Sequence, residues 1–255
     1  VSGAAASRLV AESLGTILAL WYLSTRRTRL RLTFSGFWPD FSMIRRLVRI
    51  GLPACIMNLQ SSASLIVMTG FMAAFGTLAV AAHGLMGRVS LIFFLPGYGL
   101  GLGAGVLTGQ NLGARRPERA ERSGWLAAGM VSGFSVAGSI AILLWAENII
   151  GVFTSDLALV KVTSTFLRIF AVGYLATGFG YTLSHCISGA GDTLMPMLVG
   201  LVTMWAVQVP LAFMIPRVTE LGMYGVRWAM AIPLVLGGIA YVTYFRAGRW
   251  KRKLV

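Results

Sequence analysis

Seven long apolar runs, parted by short polar or basic segments, set the hydropathy pattern of this 255-residue chain. Within a few residues at each end they cover 5–24, 50–75, 80–107, 124–146, 163–187, 195–216 and 223–245. A helix rising about 1.5 Å per residue crosses a bilayer in about 20 apolar residues, so each run is long enough to span. The runs are continuous rather than short and alternating, which excludes the strands of a membrane barrel. The pattern predicts an all-α integral membrane protein with seven transmembrane helices.

Most of the basic residues between the runs fall into three bands. Arg26, Arg27, Arg29, Arg31, Arg45, Arg46 and Arg49 form the first, Arg115, Arg116, Arg119 and Arg122 the second, and Arg246, Arg249, Lys251, Arg252 and Lys253 the third. Two and then four runs separate successive bands, so an even number of crossings returns the chain to one side each time. The positive-inside rule assigns that side, and with it the C-terminus, to the cytoplasm of a multi-pass cell-membrane protein. Connections on the opposite face hold Glu147, Asp156, Lys161, Arg217 and Glu220 and are poor in arginine.

The connection from 25 to 49 is the longest and carries Phe34, Phe37, Trp38 and Phe41 among its arginines, which predicts an amphipathic stretch at the cytoplasmic interface. Three parts follow: residues 1–25 as a leftover helix, 26–49 as a basic linker and 50–255 as a six-helix lobe with a basic tail. Six helices entered through a long basic linker have the form of the second half of a duplicated transporter. The start at Val1-Ser2-Gly3-Ala4, with no basic segment before the first run, has the form of a fragment of a longer protein rather than of a signal peptide.

Composition narrows the alternatives. Hydrophobic residues make up 56% and charged residues only 12%, against about 25% charged in soluble domains. The formal charge of +14 would otherwise raise nucleic acid as a partner. Arginines that flank apolar spans are accounted for by lipid headgroups and topology, and no soluble domain is left to carry nucleic acid. Cys55 and Cys186 sit inside apolar runs, too few and too far apart for a metal motif or a disulfide framework. Neither a cofactor nor a metal is expected.

Polar groups inside the runs are the candidate chemistry. Asn58, Gln60, Ser61, Ser62 and Ser64 follow Gly51-Leu52-Pro53 in the second run; at membrane depth such side chains glue helices together or face a cavity. His83 and Arg88 lie in the outward third of the third run. Ionisable groups there require a partner or a function, and His83 is the one able to titrate near neutral pH. Tyr174, Thr177, Tyr181 and His185 recur at spacings of three and four on one face of the fifth run, either a packing stripe or the wall of a cavity for a flat hydrophobic ligand. Trp205, Gln208 and Pro210 mark a bend in the sixth. Gly97, Gly101, Gly105, Gly109 and Gly113 keep a strict spacing of four, which lets a neighbouring backbone approach closely or lets helices slide and bend. Runs two to seven hold no Asp or Glu deep in the membrane, so a carboxylate that binds a driving ion lies in another part of the protein unless His83 substitutes.

Three segments then point to a family. Ala81-Ala82-His83-Gly84-Leu85 with Phe94-Leu95-Pro96-Gly97-Tyr98-Gly99 and Gly109-Gln110-Asn111-Leu112-Gly113-Ala114 resembles the multidrug and toxic compound extrusion (MATE) family. Ser188-Gly189-Ala190-Gly191-Asp192-Thr193-Leu194-Met195-Pro196 resembles that family's cytoplasmic turn between its tenth and eleventh helices, and Gly51-Leu52-Pro53 the start of its seventh. The resemblance implies the sixth helix plus the C-terminal lobe of a twelve-helix, two-lobed transporter whose N-terminal lobe is missing here. It implies a secondary active antiporter that exports hydrophobic, often cationic compounds in exchange for protons or sodium. One branch carries a cation-binding Glu and Asp at positions that fall near Ser61 and Thr177, so this chain departs from that branch and favours a carboxylate in the N-terminal lobe. Asn58, Gln60, Ser61, His83, Arg88, Tyr174, Thr177, Tyr181 and Gln208 are the substrate-cavity candidates. A lipid-linked saccharide flippase of similar architecture is the alternative. An intramembrane enzyme finds no support, since paired carboxylates, a metal-spaced His cluster and a Ser/His/Asp arrangement are all missing.

Overall fold

The computed structural model describes residues 2–25 and 40–252. Arg26, Arg27, Arg29, Arg31, Phe34, Phe37, Trp38 and Lys253 lie outside the described residues. The described chain is all helical: α1 (Ser2–Ser24), α2 (Phe41–Ala73), α3 (Thr77–Gly113), α4 (Pro117–Gly151), α5 (Leu157–Gly189), α6 (Leu194–Leu201), a π-helical segment (Val202–Gln208), α7 (Val209–Val218), α8 (Met223–Arg246) and a short 3₁₀ turn (Arg249–Arg252).

Among the described residues, six helical stretches are long and apolar enough to cross a membrane, with α6, the π segment and α7 together forming one of them. The first run is helical as expected, over 23 residues. Its Arg8 and Glu12 pair along one face at 2.9 Å, an i,i+4 contact. The chain divides into two units at Arg46/Leu47. The first contains α1 and the start of α2. There Asp40 caps α2, its carboxylate accepting from the backbone N–H groups of Ser42 at 2.9 Å and Met43 at 3.2 Å.

The helices overrun the apolar runs. α2 begins at Phe41 rather than at 50, so the basic stretch 41–49 of the expected linker is continuous with the span. Pro53 does not stop it. The 37 residues of α3 extend about 55 Å, well beyond a hydrocarbon core of about 30 Å, and their ends project past it.

In the second unit α5 is the central helix, packed against α3, α4 and α8. Small residues permit this. A Cβ added to Gly178 would lie 2.5 Å from Ser132 Cα of α4, and one added to Gly180 would lie 2.7 Å from Gly238 Cα of α8. Ser139 donates across α4 to the Ala171 carbonyl of α5 at 3.0 Å. Two apolar clusters run along the bundle: one around Met68, Met86, Ile142, Phe166 and Ala229, the other around Ala104, Leu183, Cys186, Phe245 and Trp250.

The basic bands after residue 47 meet at one end of this unit. Lys251 pairs with Glu121 of α4 at 2.5 Å, and Arg246 stands 5.9 Å over the Trp125 ring. The α5–α6 turn reaches the same end: Tyr244 donates to buried Asp192 at 2.5 Å, and Thr193 donates to the Ile50 carbonyl next to Arg49 at 2.8 Å. Gly191 in that turn has φ +84°, the left-handed region that favours glycine.

α2 stands off from the bundle and reaches it mainly through side chains. Besides the Thr193 bond, the Gln60 amide fills the notch left by Gly200, Gln208 donates to Ser64 at 3.2 Å, and Met68 and Met72 are fully buried. The π segment faces this helix just ahead of Pro210. Pro210 cannot donate a backbone N–H, and the widened turn absorbs the break in the hydrogen-bond ladder at the place where the sequence predicts a bend.

Candidate functional site

Between α2, α3, α5, the π segment and α8 lies a cavity of about 720 Å³. Two features make it. The stand-off of α2 leaves the gap, and Gly84 and Gly87 on α3 put no side chain into it; an added Cβ at either meets nothing within 4 Å. Most of its wall is apolar, from Leu65, Val80, Leu91, Phe170, Ala231 and Leu234. Ser64, Thr69, His83, Arg88, Ser90, Gln208 and Arg227 are its polar members, and no carboxylate among the described residues lines it. That composition, broad apolar surface with a few placed polar groups, is the ordinary make-up of a small-molecule site.

The strongest polar feature is a pair. Arg227, in the second turn of α8, is 4% exposed, and His83 of α3 is 6% exposed. Arg227 Nη1 donates to His83 Nδ1 at 3.0 Å and to Met230 Sδ at 3.3 Å. Nη2 donates to Met86 Sδ, and the guanidinium carbon sits 5.3 Å from the Phe166 ring centroid. An arginine always donates and never accepts, so Nδ1 of His83 is the acceptor and the neutral ring carries its proton on Nε2. Nε2 of His83 and Nε of Arg227 have no hydrogen-bond partner among the described residues. The three ion pairs found there, Arg8–Glu12, Arg168–Glu147 and Lys251–Glu121, leave Arg227 out.

Three of the substrate-cavity candidates, His83, Arg88 and Gln208, come together at this cavity, with Ser64 beside them. Arg88 is exposed. Asn58 and Ser61 are exposed on α2 and bond back to their own helix, to Ala54 and Met57 carbonyls. Gln60 is turned toward Gly200. The stripe on α5 falls elsewhere: Tyr174 donates to the Phe93 carbonyl, Thr177 to the Tyr174 carbonyl at 2.8 Å, and with Tyr181 they border a gap of about 10 Å³. That gap lies between α3, α4 and α5, apart from the larger cavity. Tyr181 stacks edge-on with Phe94 and His185 at 4.7 and 4.6 Å. Of the glycine series, Gly101, Gly105 and Gly109 lie against α5, Gly97 lies against Val131 of α4, and Gly113 has open space.

Arg227 is the residue that sequence reasoning missed. Its signal was the same as that of His83 and Arg88, an ionisable group within an apolar run, here four residues into the last one.

Comparison with known proteins agrees with the fold. The MatE family model matches residues 53–214. A probable multidrug resistance protein NorM of Thermotoga maritima is 24% identical over 258 residues, covering 100% of this chain and 55% of that protein. Another from Deinococcus radiodurans is 29% identical over 240 residues, covering 90% of this chain and 52% of its own length. A crystal structure of a MATE protein in complex with MaL6 superposes with a TM-score of 0.89 at 23% identity, covering 96% of this chain and 56% of that one. The chain thus spans about half the length of the curated relatives it matches.

Proposed function

This chain belongs to the MatE family, and from that premise we propose that it is the C-terminal lobe of a secondary active exporter of amphipathic small molecules. A second lobe of the natural polypeptide faces it, and the two alternate between inward- and outward-open states in exchange for protons or sodium ions. The observation that carries the reading is the 720 Å³ cavity, apolar-walled and bordered by the standing-off α2 and the π segment. Packing irregularities of that kind are where helices rearrange at low cost.

Among the described residues the cavity lining offers no carboxylate to bind a coupling cation, and the resemblance places the acids of one family branch near Ser61 and Thr177. The coupling carboxylate therefore belongs to the companion lobe. The cationic cargo implied by the resemblance finds no counter-charge in this cavity, which presents guanidinium groups instead. A lipid-linked saccharide flippase is disfavoured by the family match.

Reconstitution of the complete natural polypeptide into proteoliposomes tests the proposal. An imposed proton or sodium gradient should drive efflux of amphipathic dyes, while residues 1–255 alone should not, because one wall encloses no pathway. Failure of the complete protein to move any dye or drug under either gradient overturns it.

A further inference from the structure

A guanidinium buried in a membrane-spanning helix, without a carboxylate, is an unusual thing for a protein to keep. Removing a charge from water is costly even after relaxation, and most costly when a buried ion lacks its partner. Here the compensation is thin. The hydrogen bonds of Arg227 end on an imidazole nitrogen and two thioether sulfurs, and thioethers are weak acceptors. No backbone carbonyl accepts from it among the described residues, and its Nε–H has no partner. The acids of this unit are engaged or placed elsewhere: Glu121 with Lys251, Glu147 with Arg168, Asp192 with Tyr244, Asp156 capping α5, and Glu118 and Glu220 exposed and outside the cavity lining.

Resting on the transport reading above, we propose that Arg227 and His83 form the receptor for an oxyanion, the carboxylate, sulfonate or phosphate head of an amphiphilic cargo whose apolar body fills the cavity. Three observations converge on it. The cavity wall bears Arg88, Arg227 and His83 and no acid. The pair offers two N–H donors that lack acceptors, Nε of Arg227 and Nε2 of His83. Met86 and Met230, unbranched side chains with three rotatable bonds, occupy places on the guanidinium that an oxyanion would take over with far stronger, charge-assisted bonds. A forked guanidinium is suited to such a head, and the surrounding Phe170, Leu91 and Leu234 accept an apolar body. A carboxylate of the companion lobe is the other source of such an oxyanion, and the probes below separate it from cargo.

Three probes share one apolar body: 1-pyrenebutyrate, its neutral amide and the corresponding butyltrimethylammonium. Their binding to the purified complete transporter, in detergent free of anionic lipid, is read by fluorescence anisotropy. The carboxylate should bind about ten-fold or more tightly than the amide, as expected for a hydrogen bond to a charged group, and the ammonium most weakly. Arg227→Gln should erase the advantage of the carboxylate over the amide, while Arg227→Lys should retain part of it. Wild-type protein with no carboxylate preference, as when a carboxylate of the companion lobe already fills the site, overturns the proposal. So does a loss of all three probes together in Arg227→Gln. Should Arg227→Gln not fold, the wild-type ranking and Arg227→Lys decide. In proteoliposomes, gradient-driven efflux of the ammonium but not of the carboxylate sinks the anion site and spares the transport reading. Carboxylate-selective binding with no efflux of any probe sinks the transport reading and spares the site.

Discussion

Gly105 of α3 and Gly189 at the end of α5 meet backbone to backbone: a Cβ on Gly189 would stand 2.9 Å from Gly105 Cα, and one on Gly105 would stand 2.7 Å from the His185 carbonyl oxygen. Neither neighbour is a flexible side-chain tip that could swing aside. Gly105→Ala and Gly189→Ala should each destabilise by about 1–3 kcal/mol, the usual cost of overpacking. Gly103→Ala, two residues away in open space, should be neutral or stabilising by up to about 1 kcal/mol, since alanine favours helix over glycine. Thermal unfolding of the three variants in one detergent checks the contrast; equal effects would refute the close approach.

Gly87 makes the opposite case. It lines the cavity and an added side chain there meets nothing within 4 Å. Gly87→Leu should leave unfolding temperature unchanged or raised and yet lower transport and probe binding by about ten-fold, because it removes volume the cargo needs. A variant that transports normally would place the pathway elsewhere.

Lys251 and Glu121 put the second and third basic bands at one end of the bundle, 2.5 Å apart and each about one-third exposed or less. A double-mutant cycle with Lys251→Met and Glu121→Gln should return a coupling of about 0.5–1 kcal/mol, near the upper range for an accessible pair. In a background lacking Cys55 and Cys186, single cysteines at 116 and 252 should react with an impermeant maleimide from the same side, and cysteines at 156 and 220 from the other.

Asp40 carries the pH dependence that can be stated for the start of α2. Bonding from the Ser42 hydroxyl, then from the Met43 and Ser42 backbone N–H groups, holds its carboxyl below the ordinary 3.8. A depressed folded-state value means the cap contributes above the unfolded value and is lost as the pH falls through the folded one. Amide exchange at residues 42–44 should therefore be protected at pH 6 and lose protection below about pH 4, relative to Asp40→Asn, whose neutral side chain still caps. Identical pH profiles for the two proteins would contradict the assignment.

The spans, their number within one helix and the meeting of the second and third basic bands at one end were legible in the linear pattern. Lipid offers no hydrogen bonds, so an apolar run of span length must form a helix wherever it sits, and that is a local property. Helix ends were less legible, as α2 shows by running back to Phe41: once past the hydrocarbon core, helix propensity rather than hydropathy sets the boundary. Glycines at 101, 105 and 109 announced close packing without naming α5 as the partner.

Which polar groups would meet was decided by the fold alone. His83 and Arg227 are 144 positions apart and nothing in either run announces the other. The Tyr174, Thr177 and Tyr181 stripe carries a perfect helical spacing, yet α5 is the central helix and turns that face into a gap of about 10 Å³. Spacing along one helix tells which residues share a face; what that face touches depends on how several helices pack together, and only the tertiary structure holds that information.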